Sequence, residues 1–167
     1  MKEEDLKLFS HFLSYFQSET DRGAALVGAA MIDSKLERIL DICLLDNKAK
    51  KDLLCGSNAP IGTFSAKINL CFALGFITPK EYEEINLIRK IRNEFAHKLE
   101  ELSFSSQPIC DFCLQLKADP PVDFKKEKDY RGMFVNSVVL TTMALWYRPE
   151  YIKRDKPIKL IDYEYHL

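Results

Sequence analysis

The chain has 167 residues, 47% of them hydrophobic and 11% aromatic, which suits one domain with a core of its own and excludes wholesale disorder. Twenty-four basic residues against twenty-five acidic ones give a net charge of −1 and a pI near 6.3. That balance argues against tight autonomous DNA binding, because neutralising phosphates takes a basic domain or stripe. No apolar run approaches the roughly 18 residues that span a bilayer. The acidic, amphipathic start MKEEDLKLF is neither a signal peptide nor a transit peptide. Five scattered cysteines suit a reducing compartment better than a disulfide framework. The expectation is a cytoplasmic protein without membrane association.

In chain order, residues 3–18 read as a short amphipathic helix with Leu6, Phe9, Phe12, Leu13 and Phe16 at helical spacing. His11 falls between those core positions and is expected at the surface or edge. Thr20 or Asp21 is placed to cap a long helix reaching about Leu45. Ala25, Ala29, Ile32, Leu36, Ile39, Leu40 and Cys43 form its core stripe, and Gly23, Ala24, Gly28 and Ala30 invite close approach by another helix. Lys48 to Leu54 is a short helical turn. The loop from Cys55 to Gly62 holds two glycines and a serine but not the G-x4-G-K-[S/T] spacing of a phosphate cradle.

Thr63 to Leu74 and Pro79 to Leu99 read as two helices joined by one tight corner. Gly75 can adopt the left-handed conformation that ends a helix. Thr78, Pro79 and Glu81 then supply an N-cap, a first helical residue and the carboxylate of a capping box. After Ser103, Ser105, Ser106 and Pro108 break the pattern, residues 109–116 form another short helix. Its Cys110 and Cys113 read as small core residues one turn apart, because a C-x-x-C needs further ligands to hold zinc. Residues 118–128, with Pro120-Pro121, read as a connector. Asp129 or Tyr130 opens a last long helix ending near Trp146, stopped by Pro149. The expected architecture is all-α, a single helical bundle of six to seven helices in residues 1–147. Residues 148–167 would be a C-terminal arm on the body or on a second subunit.

The helix after the corner carries the one polar constellation that stands out, Arg92-Asn93-Glu94-Phe95-Ala96-His97. With Arg89 at zero and about 100° per residue, Ile85, Ile88, Ile91, Phe95, Ala96 and Leu99 fall in one arc of roughly 200° to 340°. Arg92 lands inside it, at roughly 300°. An arginine there must reach solvent, pair with an acid or face a subunit interface. Asp33 and Glu37, one turn apart at the border of the long helix's buried stripe, are the candidate acids. Arg89, Asn93 and His97 follow one another along the edge of the same face.

Arg92 followed by Asn93, with His97 five positions after the arginine, resembles the R-x4-6-H motif of HEPN domains. Those are small helical bundles, many of them dimeric ribonucleases. A longer string resembles the MtlR family of mannitol operon repressors: Ala59-Pro60-Ile61-Gly62, Ser65, Leu70 to Gly75 with Ile77, Glu81-Tyr82, and the arginine-rich helix ending at His97. This second likeness spans about residues 20–116 and implies an all-helical transcriptional regulator. Asn93 stands where an acidic residue follows the arginine in members tied to mannitol control, a departure toward the HEPN pattern.

The chain therefore reads as an MtlR-like regulator acting mainly through protein contacts, with another transcription factor as one possible partner. A homodimer is expected, with direct DNA binding weak or absent, and no cofactor or metal. The alternative is a metal-independent, HEPN-type ribonuclease or toxin-like protein with RNA as substrate. Under that likeness alone, His97 would act as acid or base at the ribose, Arg92 would stabilise phosphate charge, and Asn93 would complete the set. Enzymatic activity stays open, with the regulator preferred. The residues taken by themselves favour a framework role over binding or catalysis: Arg92 paired to an acid, His97 capping its helix terminus.

Overall fold

The computed structural model describes residues 3–56, 58–98, 101–118 and 124–155, and every structural statement concerns these. Among them the chain forms α1 (Glu3–Ser18), α2 (Asp21–Cys43), α3 (Lys48–Leu54), α4 (Phe64–Ala73), α5 (Pro79–His97), α6 (Ile109–Gln115), α7 (Phe124–Glu127), α8 (Tyr130–Trp146) and α9 (Arg148–Asp155). The all-α class is as expected, with two more short helices than the sequence suggested. One is the single turn of α7, inside the expected connector. The other is α9, which forms the first part of the expected arm and packs on α2. Residues 156–167, the rest of that arm, lie outside the described residues, as do Pro120-Pro121 and Leu99.

Local chemistry sets the helix starts. The hydroxyls of Thr20 and Thr63 accept from the amides of Gly23 at 3.1 Å and Ala66 at 3.2 Å. The Asn47 and Asp129 side chains do the same for Lys50 and Gly132. At the corner the full capping box is present: Thr78 Oγ1 accepts from Glu81 N at 3.2 Å, and Glu81 Oε2 from Thr78 N at 2.7 Å. On the other side of the corner α4 ends in a Schellman turn. Gly75, at φ +72°, donates to Phe72 O at 3.0 Å, and Phe76 N donates to Cys71 O at 2.8 Å.

The long α2 is the axle of the bundle and packs against α1, α4, α5, α8 and α9. Its small-residue run works as expected at Gly28, where a Cβ would stand 3.1 Å from both the Phe16 ring and Val138. Helix directions follow from the ties at the two ends. Arg22 Nη2, in the first turn of α2, donates to Lys98 O at the end of α5 (2.9 Å). Asp21 accepts from Phe104 N at 3.1 Å and from Arg131 Nε, at the start of α8, at 3.2 Å. At the opposite end Arg148 Nη2 donates to Glu81 Oε1 at 2.6 Å and its Nη1 to Phe76 O at 2.7 Å. So α2 and α8 run together and α5 runs against both. Between them lie the buried Ile32, Leu36, Ile39, Ile85, Ile88, Ile91 and Phe134, with Phe95 and Phe134 each 5.1 Å from the Phe104 ring. Among the described residues no helix is long and apolar enough to cross a membrane.

Candidate functional site

The polar constellation sits where α5 leaves the cover of α4. Ile85, Ile88, Ile91 and Phe95 are buried on the expected arc, and Arg92, within the same arc, is half-buried. Its Nη1 donates to Asn93 Oδ1 at 2.9 Å. The expected pairing of Arg92 with Asp33 or Glu37 does not occur. Both carboxylates are taken by Lys67 of α4, whose Nζ lies 2.6 Å from Glu37 Oε2 and 3.1 Å from Asp33 Oδ1. Lys67 projects from the buried stripe Phe64, Ile68, Cys71 and is only 4% exposed at its side chain. Burial, the largest single effect, would lower its pKa, but the hydrogen bonds it donates to Glu37 and Asp33, with the attraction of their charges, together outweigh that and raise it.

His97 is the last residue of α5 and is exposed, one turn beyond Asn93 on the same flank. Ala96, expected on the core arc, is exposed as well, because the ten-residue α4 does not reach that far along the nineteen-residue α5. Arg92 and Asn93 are thus brought together by a bond, and His97 stands at the solvent edge beside them.

Further along the flank the stripe of Arg89 and Asn93 continues into a polar ladder whose Tyr82 and Asn86 the sequence reading missed. Arg89 Nε donates to Asn86 Oδ1 at 3.3 Å, and Asn86 Nδ2 donates to Tyr82 O at 3.0 Å. Tyr82 Oη donates to Asn69 Oδ1 of α4 at 3.1 Å, while its ring stacks on Phe72 at 4.3 Å. These residues recur at three- and four-residue spacing, Tyr82, Asn86, Arg89, Asn93, and that periodicity was the available signal. Side-chain amides of one helix hold both guanidinium groups. This leaves other N–H donors of each fork for an oxyanion.

Glu84 is a second omission. It is 4% exposed, and its carboxylate accepts from Ser137 Oγ at 2.7 Å, Lys117 N at 2.9 Å and Ala118 N at 3.1 Å. On the same wheel Glu84 falls at roughly 220°, inside the core arc just as Arg92 does. Between α5 and the end of α6 runs a groove of about 600 Å³ lined by Tyr82, Glu83, Asn86, Leu87, Lys90 and Lys117 among others. Cys110 and Cys113 lie on the buried face of α6. No group of three or more His, Cys, Asp or Glu side chains able to hold a metal ion occurs among the described residues.

Comparison with solved structures finds the same fold in the X-ray structure of the MtlR–HPr complex from Escherichia coli. The similarity has a TM-score of 0.60 at 20% identity and covers 84% of this chain and 97% of that one. No curated protein matches the sequence. The family described as "Mannitol repressor" matches residues 47–145, from the start of α3 through almost all of α8, and so takes in the corner, the Arg89–Asn93 ladder and Glu84. The match covers more than half of the sequence, and this chain belongs to the mannitol repressor family.

Proposed function

We propose that this chain is a transcriptional regulator that acts through protein contacts, HPr or an HPr-like protein being the partner class, and that does not read DNA by itself. Membership of the mannitol repressor family carries the reading. Two further observations support it: the relative of the same fold was captured in a complex with HPr, and a net charge of −1 gives little long-range attraction for nucleic acid. The reading includes self-association as a homodimer. In it Arg92 and Asn93 serve recognition, and His97 borders the surface they present.

The test is titration of purified chain with HPr and, separately, with a fragment of the operator it controls, at physiological salt. Saturable HPr binding with negligible operator binding is expected. Operator binding by the chain alone at that salt refutes the protein-contact reading. Incubation with mixed RNA provides a second check, with the RNA expected to survive. Cleavage that disappears in a folded His97→Ala variant would instead make Arg92, Asn93 and His97 a ribonuclease site.

A further inference from the structure

Two facts about the α2–α5 seam belong together. The first concerns cover. Through Asp33 and Glu37, α2 turns toward α4 the stripe that also holds Leu26 and Ala30, at i, i+4, i+7 and i+11. Through Tyr82, α5 turns toward α4 the stripe that also holds Asn86, Arg89, Asn93 and Ala96. Past the N-terminus of α4 both stripes continue with no helix of the described residues over them: Leu26 is 39% exposed, and Ala30 and Ala96 are exposed. The link from Arg22 to Lys98 closes the far end. Between that link and Asp33 the open seam is about 16 Å long, three turns of helix, continuing the line of α4.

The second fact concerns charge. Residues 85–93, INLIRKIRN, contain three cations and no acid; Lys90 turns to α6 over the Phe112 ring, which leaves Arg89 and Arg92 at the seam. Arg131 and Arg148 are ion-paired with Asp21 and Glu81. Arg89 and Arg92, though half-buried, form no ion pair among the described residues and are held only by Asn86 and Asn93. Partly burying a guanidinium without an anion costs free energy that a docked carboxylate recovers.

From this we infer that the open α2–α5 seam receives an acidic amphipathic helix of a partner protein. Its carboxylates meet Arg89 and Arg92, and its apolar residues pack on Leu26, Ala30 and Ala96. The apolar wall decides against a nucleic-acid backbone, which would leave those three side chains without an apolar counterpart. Lys67 offsets only half of the charge of Asp33 and Glu37, so the residual negative charge of α2 lies at the end nearest α4 and the docking helix turns its carboxylates toward α5. This inference rests on the protein-contact reading above and gives it a surface.

The probe is a stapled amphipathic peptide of about twelve residues, long enough for three turns once its helix is enforced. One form carries Leu on one face and Glu beside it, and a second has every Glu replaced by Gln. Fluorescence anisotropy against the full chain should show saturable binding of the Glu form. Binding should weaken about ten-fold in Arg89→Ala and in Arg92→Ala, and similarly for the Gln form against the unaltered protein. Circular dichroism confirms folding of each variant, and Arg89→Ala suffices should Arg92→Ala unfold. Equal binding of the two peptides, indifference to the arginine substitutions, or no saturable binding overturns the assignment. Single-stranded RNA binding that depends on the same arginines, where the Glu peptide fails to bind, overturns it in favour of a nucleic-acid surface. HPr titrated into Arg89→Ala and the unaltered chain separates the two proposals. HPr binding without peptide binding removes the seam but keeps the regulator, whereas loss of HPr binding to the unaltered chain removes the regulator reading itself.

Discussion

Replacing Glu84 tests whether one buried carboxylate joins three helices. Its two oxygens take three donors from outside α5: Ser137 Oγ of α8, and the Lys117 and Ala118 amides that follow α6. In Glu84→Ala all three lose their acceptor. A hydrogen bond to a charged group contributes about 1.5–3 kcal/mol net, and the terms are not additive. Part of the loss is regained because the buried charge is removed too. The expected cost is about 3 kcal/mol, which for a chain of this size lowers Tm by about 10 °C. Glu84→Gln should fall between, since one oxygen still accepts while the new NH2 faces a donor. Thermal unfolding followed by circular dichroism gives the total, and amide hydrogen exchange locates it. Lys117 and Ala118 should lose protection before the rest of the core. A loss below about 1 kcal/mol, or unchanged protection at those two amides, would show that the carboxylate does not hold these segments and refute the reasoning.

Three other outcomes follow from single residues. Lys67→Met leaves Asp33 and Glu37 facing each other and should cost about 1–2 kcal/mol at neutral pH, an amount limited by the partial exposure of both acids. Because the folded-state pKa of Lys67 is raised above 10.5, its contribution is complete below that value and declines only as pH rises through the higher folded pKa. Urea titrations at neutral and strongly alkaline pH should therefore show the gap between the two proteins closing only at the alkaline end, and a gap that closes near neutrality contradicts the assignment. Burial, with a smaller push from Cys43, raises the Cys71 thiol to about 12, and burial with Cys110 does the same for Cys113. Maleimide at mildly alkaline pH should label exposed Cys55 first, with peptide mass mapping showing Cys71 and Cys113 protected until unfolding. Gly75→Ala should lose about 1 kcal/mol in chemical denaturation, although an added Cβ would meet nothing within 4 Å, because the cost is the left-handed backbone alone. An unchanged midpoint would show that the corner relaxes.

What was legible in the sequence, and what was not, divides along physical lines. The corner could be read because Gly75, Thr78, Pro79 and Glu81 act on their own neighbours within four residues and the hydrogen bonds that shape the turn are local. The ion pair of Glu81 with the distant Arg148, by contrast, left no local signal. The core stripe of α2 could be read for a similar reason: with helices on several sides, burial follows the apolar period whichever helix supplies it. Choosing a partner for a charged group was a different problem. Asp33 and Glu37 were identified as acids in need of a cation, but periodicity within α2 does not say whether α4 or α5 lies opposite. Lys67 took them because α4 sits over that part of the stripe. Glu84 fell on the core arc together with Arg92, yet its donors come from 33 or more residues away in the chain, beyond the reach of any local pattern.

Ala96 is the instructive miss. An apolar residue at the edge of a core arc is buried only if something covers it, and α4 ends too early to do so. The same shortfall exposes Leu26 and Ala30 across the seam and leaves Arg89 and Arg92 half-buried without carboxylates. One cause, a ten-residue helix beside a nineteen-residue one, thus accounts for both the misplaced alanine and the uncompensated arginines. If the seam is filled by a partner, the apolar period of α5 predicted the burial of Ala96 in the complex, and hydrogen exchange at the end of α5 should slow when the acidic peptide binds. Exchange there that is indifferent to a saturating peptide would place the contact elsewhere.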